Sequence, residues 1–270
     1  MMLGLALMFV TSAHALDCLP FAAGATLPAD GALDVPTNAK PVVEFFGEPS
    51  LDDGRMVFEI IDPEGVVVPA SLEILADGDP SVWQLQPDAL LAPGDGYQLR
   101  AGFDWPDGGG FEGSLTTFAV GTRVDETAPE APVLGAVLQW SNYGGDWGPE
   151  HELTVEIAST EDASGQFYMI ELADNAAMDR ALLRARLGRP LTFHHGLCTF
   201  DDAAKRDPQS TWTRAVSVDG AGNISEVTMA DPWAGFYECG NGGGCSTTGS
   251  GTLGWFAALG GLLGLLRRRR

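Results

Sequence analysis

The sequence predicts an all-β protein of two tandem Greek-key β-sandwiches, flanked by an N-terminal signal peptide and a C-terminal hydrophobic helix. Short runs rich in Val, Ile, Phe and Tyr recur between clusters of Pro, Gly, Asp and Asn, the rhythm of strands joined by turns. An acidic stretch at 123–132 carrying Pro129 and Pro132 divides that rhythm in two, and prolines stiffen such a connector into a semi-extended spacer. With both terminal segments set aside, the remainder of the 270-residue chain is long enough for two modest domains at about 100 to 200 residues each.

In the first half, strands are expected at 41–46, 56–61, 66–69, 71–75, 82–86, 97–103 and 115–120. Turns are signalled by Pro49, Asp52-Asp53-Gly54, Asp62-Pro63-Glu64-Gly65, Asp77-Gly78-Asp79-Pro80 and Asp107-Gly108-Gly109-Gly110. Along 82–86 the alternation points Trp83 and Leu85 to the core and Val82, Gln84 and Gln86 away from it. Leu90-Leu91-Ala92-Pro93-Gly94-Asp95-Gly96-Tyr97 places a tyrosine just after a Pro-Gly corner. From there its hydroxyl reaches back to the backbone while its ring packs inside, the tyrosine corner of Greek-key sandwiches.

With Pro28-Ala29-Asp30-Gly31-Ala32 and Val35-Pro36-Thr37-Asn38 opening the unit, Leu91-Ala92-Pro93-Gly94 and Tyr97 late in it, and Thr117-Phe118 closing it, residues 27–122 resemble the bacterial Ig-like family of S-layer-type proteins. The resemblance implies a structural or adhesive repeat on exported proteins, without catalytic residues.

The second half, 133–235, repeats the grammar, with strands expected at 133–140, 153–158, 167–173, 191–200, 211–218 and 224–229. Asp125 with Thr127-Ala128-Pro129, and Val216-Ser217-Val218-Asp219-Gly220-Ala221-Gly222-Asn223-Ile224-Ser225, resemble fibronectin-III or Ig-like repeats of bacterial surface proteins. Between them, 174–189 mixes Met178, Leu182, Leu183 and Leu187 with Arg180, Arg184 and Arg186. It reads as a short amphipathic helix capped by Asp174 or Asn175, lying across one end of the sandwich or offering an interaction surface.

The formal net charge is −22 at pH 7, and it is more negative still without the four terminal arginines. Such a surface repels nucleic acid and anionic lipid and suits a soluble extracellular protein. Residues 1–10 are almost wholly apolar and Ala13-His14-Ala15 is a small-x-small site, so 1–15 reads as a secretory signal cut after Ala15, although it lacks a basic leading region. A lead at 16–26 follows. Leu16-Asp17 before Cys18 is a poor match to a lipoprotein signal.

The four cysteines suit an oxidising compartment with few crosslinks. Cys198 and Cys239 are the preferred disulfide. No C-x-x-C is present, and the adjacent His194 and His195 point to opposite faces of a strand.

Beyond the Gly-rich stretch 236–246, residues 247–266 are uncharged and are followed by Arg267-Arg268-Arg269-Arg270. About 20 helical residues cross the roughly 30 Å of a bilayer's hydrocarbon core, and the arginines hold their end on the cytoplasmic side. Gly244-Cys245-Ser246, the Gly/Ala/Leu-rich run and the Arg cluster together resemble the MYXO-CTERM sorting signals. That resemblance implies recognition by a dedicated membrane protease near Cys245, removal of the helix at 247–270, and retention at the cell surface. The alternative is a permanent single-pass anchor.

No G-x-S-x-G, H-E-x-x-H or phosphate-cradling Gly-rich loop is present. His151, His194 and His195 have no evident nucleophile partner. Asp125 and Asp219 are candidate calcium ligands, calcium taking six to eight oxygens, but turn acids that cap backbone amides account for them equally. Trp140, Tyr143 and Trp147 lie in what reads as a loop able to stack on sugar rings; core or interdomain packing is the alternative. The expected function is therefore a non-enzymatic, surface-anchored structural or adhesive protein without a cofactor. Its expected partners are the membrane, the sorting protease and extracellular polysaccharide or surface proteins. A tethered carbohydrate- or calcium-binding module, or an accessory component of an extracellular hydrolase, is the alternative.

Overall fold

The computed structural model describes residues 22–47, 56–105, 110–145, 148–158, 165–196, 201–207, 210–230, 232, 236–239 and 245–247. The signal segment with Ala15, Cys18, Trp147, Cys198 and residues 248–270 lie outside them. Among the described residues there is no α-helix, and no helix is long and apolar enough to cross a membrane.

The first sandwich is built from β1 (Ala22–Leu27), β2 (Ala32–Val35), β3 (Val42–Phe46), β4 (Met56–Ile61), β5 (Ala70–Ala76), β6 (Ser81–Pro87), β7 (Gly94–Trp105) and β8 (Gly110–Val120). One sheet has the order β1-β3-β6-β5 and the other β2-β8-β7-β4. The chain crosses between sheets at β1–β2, β2–β3, β3–β4, β4–β5 and β6–β7, as in a Greek-key sandwich of immunoglobulin type.

The second sandwich uses β9 (Val133–Gly145), β10 (Gly148–Ala158), β11 (Gln166–Ala173), β12 (Leu182–Arg186), β13 (Leu191–His195), β14 (Trp212–Asp219) and β15 (Thr228–Ala230), with β16 (Phe236–Cys239) and β17 (Cys245–Thr247) added at one edge. Its sheets run β13-β10-β9-β16-β17 and β12-β11-β14-β15. Without the two edge additions this is a three-plus-four division of the fibronectin-III kind. The protein is thus all-β, two sandwiches in tandem.

Each sandwich has its own core. In the first, Trp83 and Phe45 pack edge to face with ring centroids 5.7 Å apart, while Ile60, Leu85, Leu99 and Phe118 fill the other end. In the second, Leu153, Val155, Tyr168, Ile170, Leu172, Leu191 and Phe193 are buried together. Tyr97 lies near the start of β7. Its hydroxyl donates to the Ala92 carbonyl at 2.9 Å and its ring stacks on Phe118 at 5.5 Å, so the tyrosine corner is formed. Burial pushes the Tyr97 phenol above its usual range, the bond to Ala92 opposing.

Several elements differ from the sequence reading. β1 and β2 were not expected, because Ala22-Ala-Gly-Ala-Thr-Leu27 has almost none of the β-branched or aromatic character that marks strands. Residues 66–69 contribute only the isolated bridge between Ile61 and Val67. The helix expected in 174–189 is absent. Residues 182–186 form β12, in register with β11 from Tyr168↔Arg186 to Leu172↔Leu182, because Leu183 and Ala185 alternate with Arg184 and Arg186. The loop expected around Trp140 and Tyr143 is one arm of the long β9–β10 hairpin, where Trp140 lies opposite Leu153 and Tyr143 opposite Glu150.

A third core joins the sandwiches. The faces of β3 and β6 that alternate away from Trp83 and Leu85 are not solvated, since Val82 is 0% and Gln84 5% exposed. Leu27, Val42, Ala76 and Val82 pack instead on Phe167, Ala185 and Val218 of the second sandwich. The connector at 123–132 therefore does not hold the sandwiches apart. Tyr97→Phe removes one hydrogen bond, with a net value of about 1 kcal/mol, and should lower the midpoint of a thermal melt by about 2–4 °C.

Candidate functional site

The concentration of buried polar chemistry lies at this junction. The β5–β6 turn, Asp77-Gly78-Asp79-Pro80, meets two arginines of β12. Arg184 donates from Nε to Asp201 Oδ1 at 2.7 Å and from Nη1 to the carbonyls of Asp77 at 2.9 Å and Leu183 at 2.8 Å. Arg186 donates to the Thr192 carbonyl from Nε at 3.1 Å and Nη2 at 2.9 Å, and to the carbonyls of Asp79 at 3.2 Å and Pro80 at 3.4 Å. Its guanidinium lies 5.0 Å from the Phe193 ring centroid, within cation–π range. The planar fork of arginine lets one side chain bond carbonyls of both sandwiches.

Two carboxylates balance the two guanidinium charges. Asp201 caps the 3-10 turn Asp202–Lys205, accepting from the Ala203 amide at 2.9 Å, and its Oδ2 is 3.7 Å from Arg186 Nη2. Glu44 on β3 accepts from the Leu187 amide at 2.8 Å, a bond from one sandwich to the other. All four side chains are buried. Burial pushes the Glu44 carboxyl above its usual range, against the Leu187 amide and the Arg186 charge. Burial also pulls Arg186 below its usual value, opposed by Glu44, Asp201 and Asp79.

Contact here is close. A Cβ added to Gly78 would lie 2.8 Å from Arg184 Nε, and one added to Gly165, at φ +77°, would lie 2.3 Å from Leu27 Cδ1. A side chain at either would displace Arg184 or Leu27, and at Gly165 it would also meet a left-handed backbone.

A second clasp holds the connector. Asn38 exchanges two hydrogen bonds with the Asp125 backbone, Nδ2 to the carbonyl at 2.8 Å and the amide to Oδ1 at 2.9 Å. Asn223 Nδ2 donates to the same Asp125 carbonyl at 3.0 Å and to Asp219 Oδ2 at 2.9 Å. Asp219 Oδ1 accepts from the amides of Ala221 and Asn223, each at 2.9 Å. Burial raises the Asp219 carboxyl above its usual range, against the Asn223 and Ala221 donors.

Asp125 and Asp219, the candidate calcium ligands, are engaged in turn and connector hydrogen bonds. The Asp125 carboxylate accepts from the Thr127 amide and lies 3.2 Å from Arg123 Nη1. Among the described residues, no group of three His, Cys, Asp or Glu side chains is placed to hold a metal ion.

The remaining candidates among the described residues lie on strands. Cys239 lies opposite Cys245 in the β16–β17 register, whereas its expected partner Cys198, like Trp147 and Ala15, falls outside the described residues. His151 faces His195 across β10 and β13 with ring centroids 6.1 Å apart. His194 Nδ1 lies 3.9 Å from Glu152 Oε2. Burial, then the Lys205 charge, lowers the His195 imidazole, with Asp202 opposing.

Sequence reasoning missed Glu44, Arg184, Arg186 and Asp201 as a group. The period-two alternation of Leu183, Ala185 and Leu187 with Arg184 and Arg186 was the available signal.

No protein-family model matches the chain, and no curated protein matches it. Among solved structures, the fibronectin(III)-like modules of Clostridium thermocellum CbhA are 12% identical, covering 77% of this chain and 90% of theirs at a TM-score of 0.22. The FN1-FN3 domains of chicken CNTN1 are 11% identical, over 77% of this chain and 64% of theirs at 0.25. A pullulanase from Anoxybacillus sp. LM18-11 is 9% identical, over 78% of this chain and 25% of its own at 0.23. At these TM-scores the strand order carries the fold assignment.

Arg184→Met leaves Asp201 Oδ1 without its buried cation, and breaking a buried pair this way costs about 3–5 kcal/mol. Denaturant unfolding should show that loss, whereas Lys205→Met, at the exposed end of the same 3-10 turn, should change stability by less than about 1 kcal/mol.

Proposed function

We propose that the chain is an exported, cell-surface-anchored, non-enzymatic structural or adhesive protein made of Ig-like modules. The observation that carries the reading is the junction itself. Two sandwiches joined by an apolar core, four buried charges and a bonded connector form a stiff unit, the property a displayed spacer or adhesive module needs. Two of the scarce basic side chains, Arg184 and Arg186, are committed to that junction rather than to a surface.

The sequence supplies the rest of the support. The apolar segment 1–10 with Ala13-His14-Ala15 favours export. The order of Cys245, apolar run and arginines favours membrane insertion followed by processing near Cys245. The strongly acidic surface favours solubility outside the cell and disfavours nucleic-acid partners.

Protease shaving of intact cells, followed by mass spectrometry of the native protein, tests the reading. The expected result is loss of the protein from intact cells and a mature C-terminus close to Cys245. A protein protected in intact cells and recovered from the cytosol with residues 1–15 and 247–270 attached would contradict it.

A further inference from the structure

The C-terminal edge of the second sandwich is lightly held by its backbone. β17 is the outermost strand of its sheet and pairs with β16 alone, over Tyr237↔Thr247, Glu238↔Ser246 and Cys239↔Cys245. β16 in turn joins β9 through Phe236↔Val137 and Glu238↔Trp140, with an irregularity between them. The residues that connect β16 to β17 are Gly240-Asn241-Gly242-Gly243-Gly244, and glycine loses more backbone freedom on folding than any other residue. A ladder this short, closed by such a loop, needs more than its own hydrogen bonds to persist.

The register supplies the missing element. Cys239 and Cys245 are directly opposite each other at the loop end of the pair. Opposite residues of an antiparallel pair share one face of the sheet, with Cα atoms about 4.5 or 5.5 Å apart according to their hydrogen-bonding position. A disulfide spans Cα separations of about 4.4–6.8 Å, so either position accommodates the bond without moving the backbone. The short stretch between the two cysteines also closes at a lower entropic cost than the longer one back to Cys198.

We propose that Cys239 and Cys245 form a disulfide that staples β17 to β16. One cysteine, as its thiolate, attacks an external disulfide such as oxidised glutathione, forming a mixed disulfide and releasing one glutathione thiol. The other cysteine then displaces the second glutathione thiol. Two protons and two electrons leave the cysteine pair, and the external disulfide takes them up as two thiols. The bridge excludes a Cys198–Cys239 bond. It also occupies the sulfur of Cys245, the residue at which the sorting resemblance places processing, and so ties residue 245 to the edge of the sandwich. The bridge goes beyond the display reading and does not rest on it.

Mass spectrometry of the purified full-length protein tests the proposal, after equilibration with reduced and oxidised glutathione and denaturation in N-ethylmaleimide. Hydroxylamine cleaves the chain at Asn241-Gly242, between the two cysteines. The protein should run as a monomer on a non-reducing gel, and its two fragments should stay joined until dithiothreitol is added, with maleimide on neither Cys239 nor Cys245. Cys18→Ser and Cys198→Ser together should leave the bridge in place, because it needs neither residue. Labelling is read on denatured protein, so the result stands even where that variant loosens the fold.

Reduction of the unaltered protein should speed amide exchange at 245–247 by about tenfold or more, with β3 and β6 unchanged. Maleimide on Cys239 and Cys245 of the unaltered protein, a bond from Cys239 to Cys198 or Cys18, a disulfide-linked dimer, or exchange at 245–247 indifferent to reduction would overturn the proposal. Protease shaving of intact cells reads neither cysteine, so the bridge and the display reading fail separately.

Discussion

β3 and β6, the central strands of one sheet, are buried on both faces over most of their length, and the relation between the two sandwiches follows from that burial. A strand in an isolated sandwich places one set of side chains in its core and the other in water. Here Val42 and Val82 pack on Phe167 of β11, Ala185 of β12 and Val218 of β14 in the neighbouring sandwich, and Glu44 and Gln84 between them are buried as well. Each fully buried Val or Phe side chain contributes about 1.5–3 kcal/mol, and Val42, Val82 and Phe167 are all at 0% exposure. Because a short connector already holds the sandwiches near each other, little of this is spent on association entropy, and the packed arrangement dominates over a splayed one.

Apolar burial alone does not choose an angle. The polar contacts do, because each has a narrow geometry. Across the junction Arg184 and Arg186 bond carbonyls of the β5–β6 turn, Glu44 bonds the Leu187 amide, and Asn38 and Asn223 converge on one carbonyl at Asp125. Buried ion pairs are often no more stable than apolar replacements, but an unpaired member is expensive. The four charges therefore act chiefly against alternative orientations, each of which would strand at least one of them. Gly78 and Gly165 leave room for the Arg184 and Leu27 side chains, and a larger residue at either would require those side chains to shift.

Much of the fold was legible because its signals are local. Period-two alternation, Pro-Gly-Asp turns and the spacing of Tyr97 behind Pro93-Gly94 each act over a few residues. β4 was readable residue for residue from Met56–Ile61. β1 and β2 were not, since their small residues pair with neighbours that the sequence places far away. β12 was misread because Leu182, Leu183 and Leu187 suggest one face of a helix when the arginines are treated as solvated. In the folded chain those arginines face inward and are paired with partners up to 107 positions distant. The junction was invisible for the same reason. Nothing in the alternation of 82–86 distinguishes a face turned to water from one turned to a second sandwich, and Gln84 looks like a surface residue in either case.

With this junction the two sandwiches should tumble as one body. Residual dipolar couplings of backbone amides in weakly aligned protein measure this directly, using resonances from β3, β6 and β7 in one sandwich and β10, β11 and β14 in the other. A single alignment tensor should fit both sets in this arrangement of the sandwiches. Two tensors of different magnitude or orientation, one for each sandwich, would show a mobile connector and contradict the account.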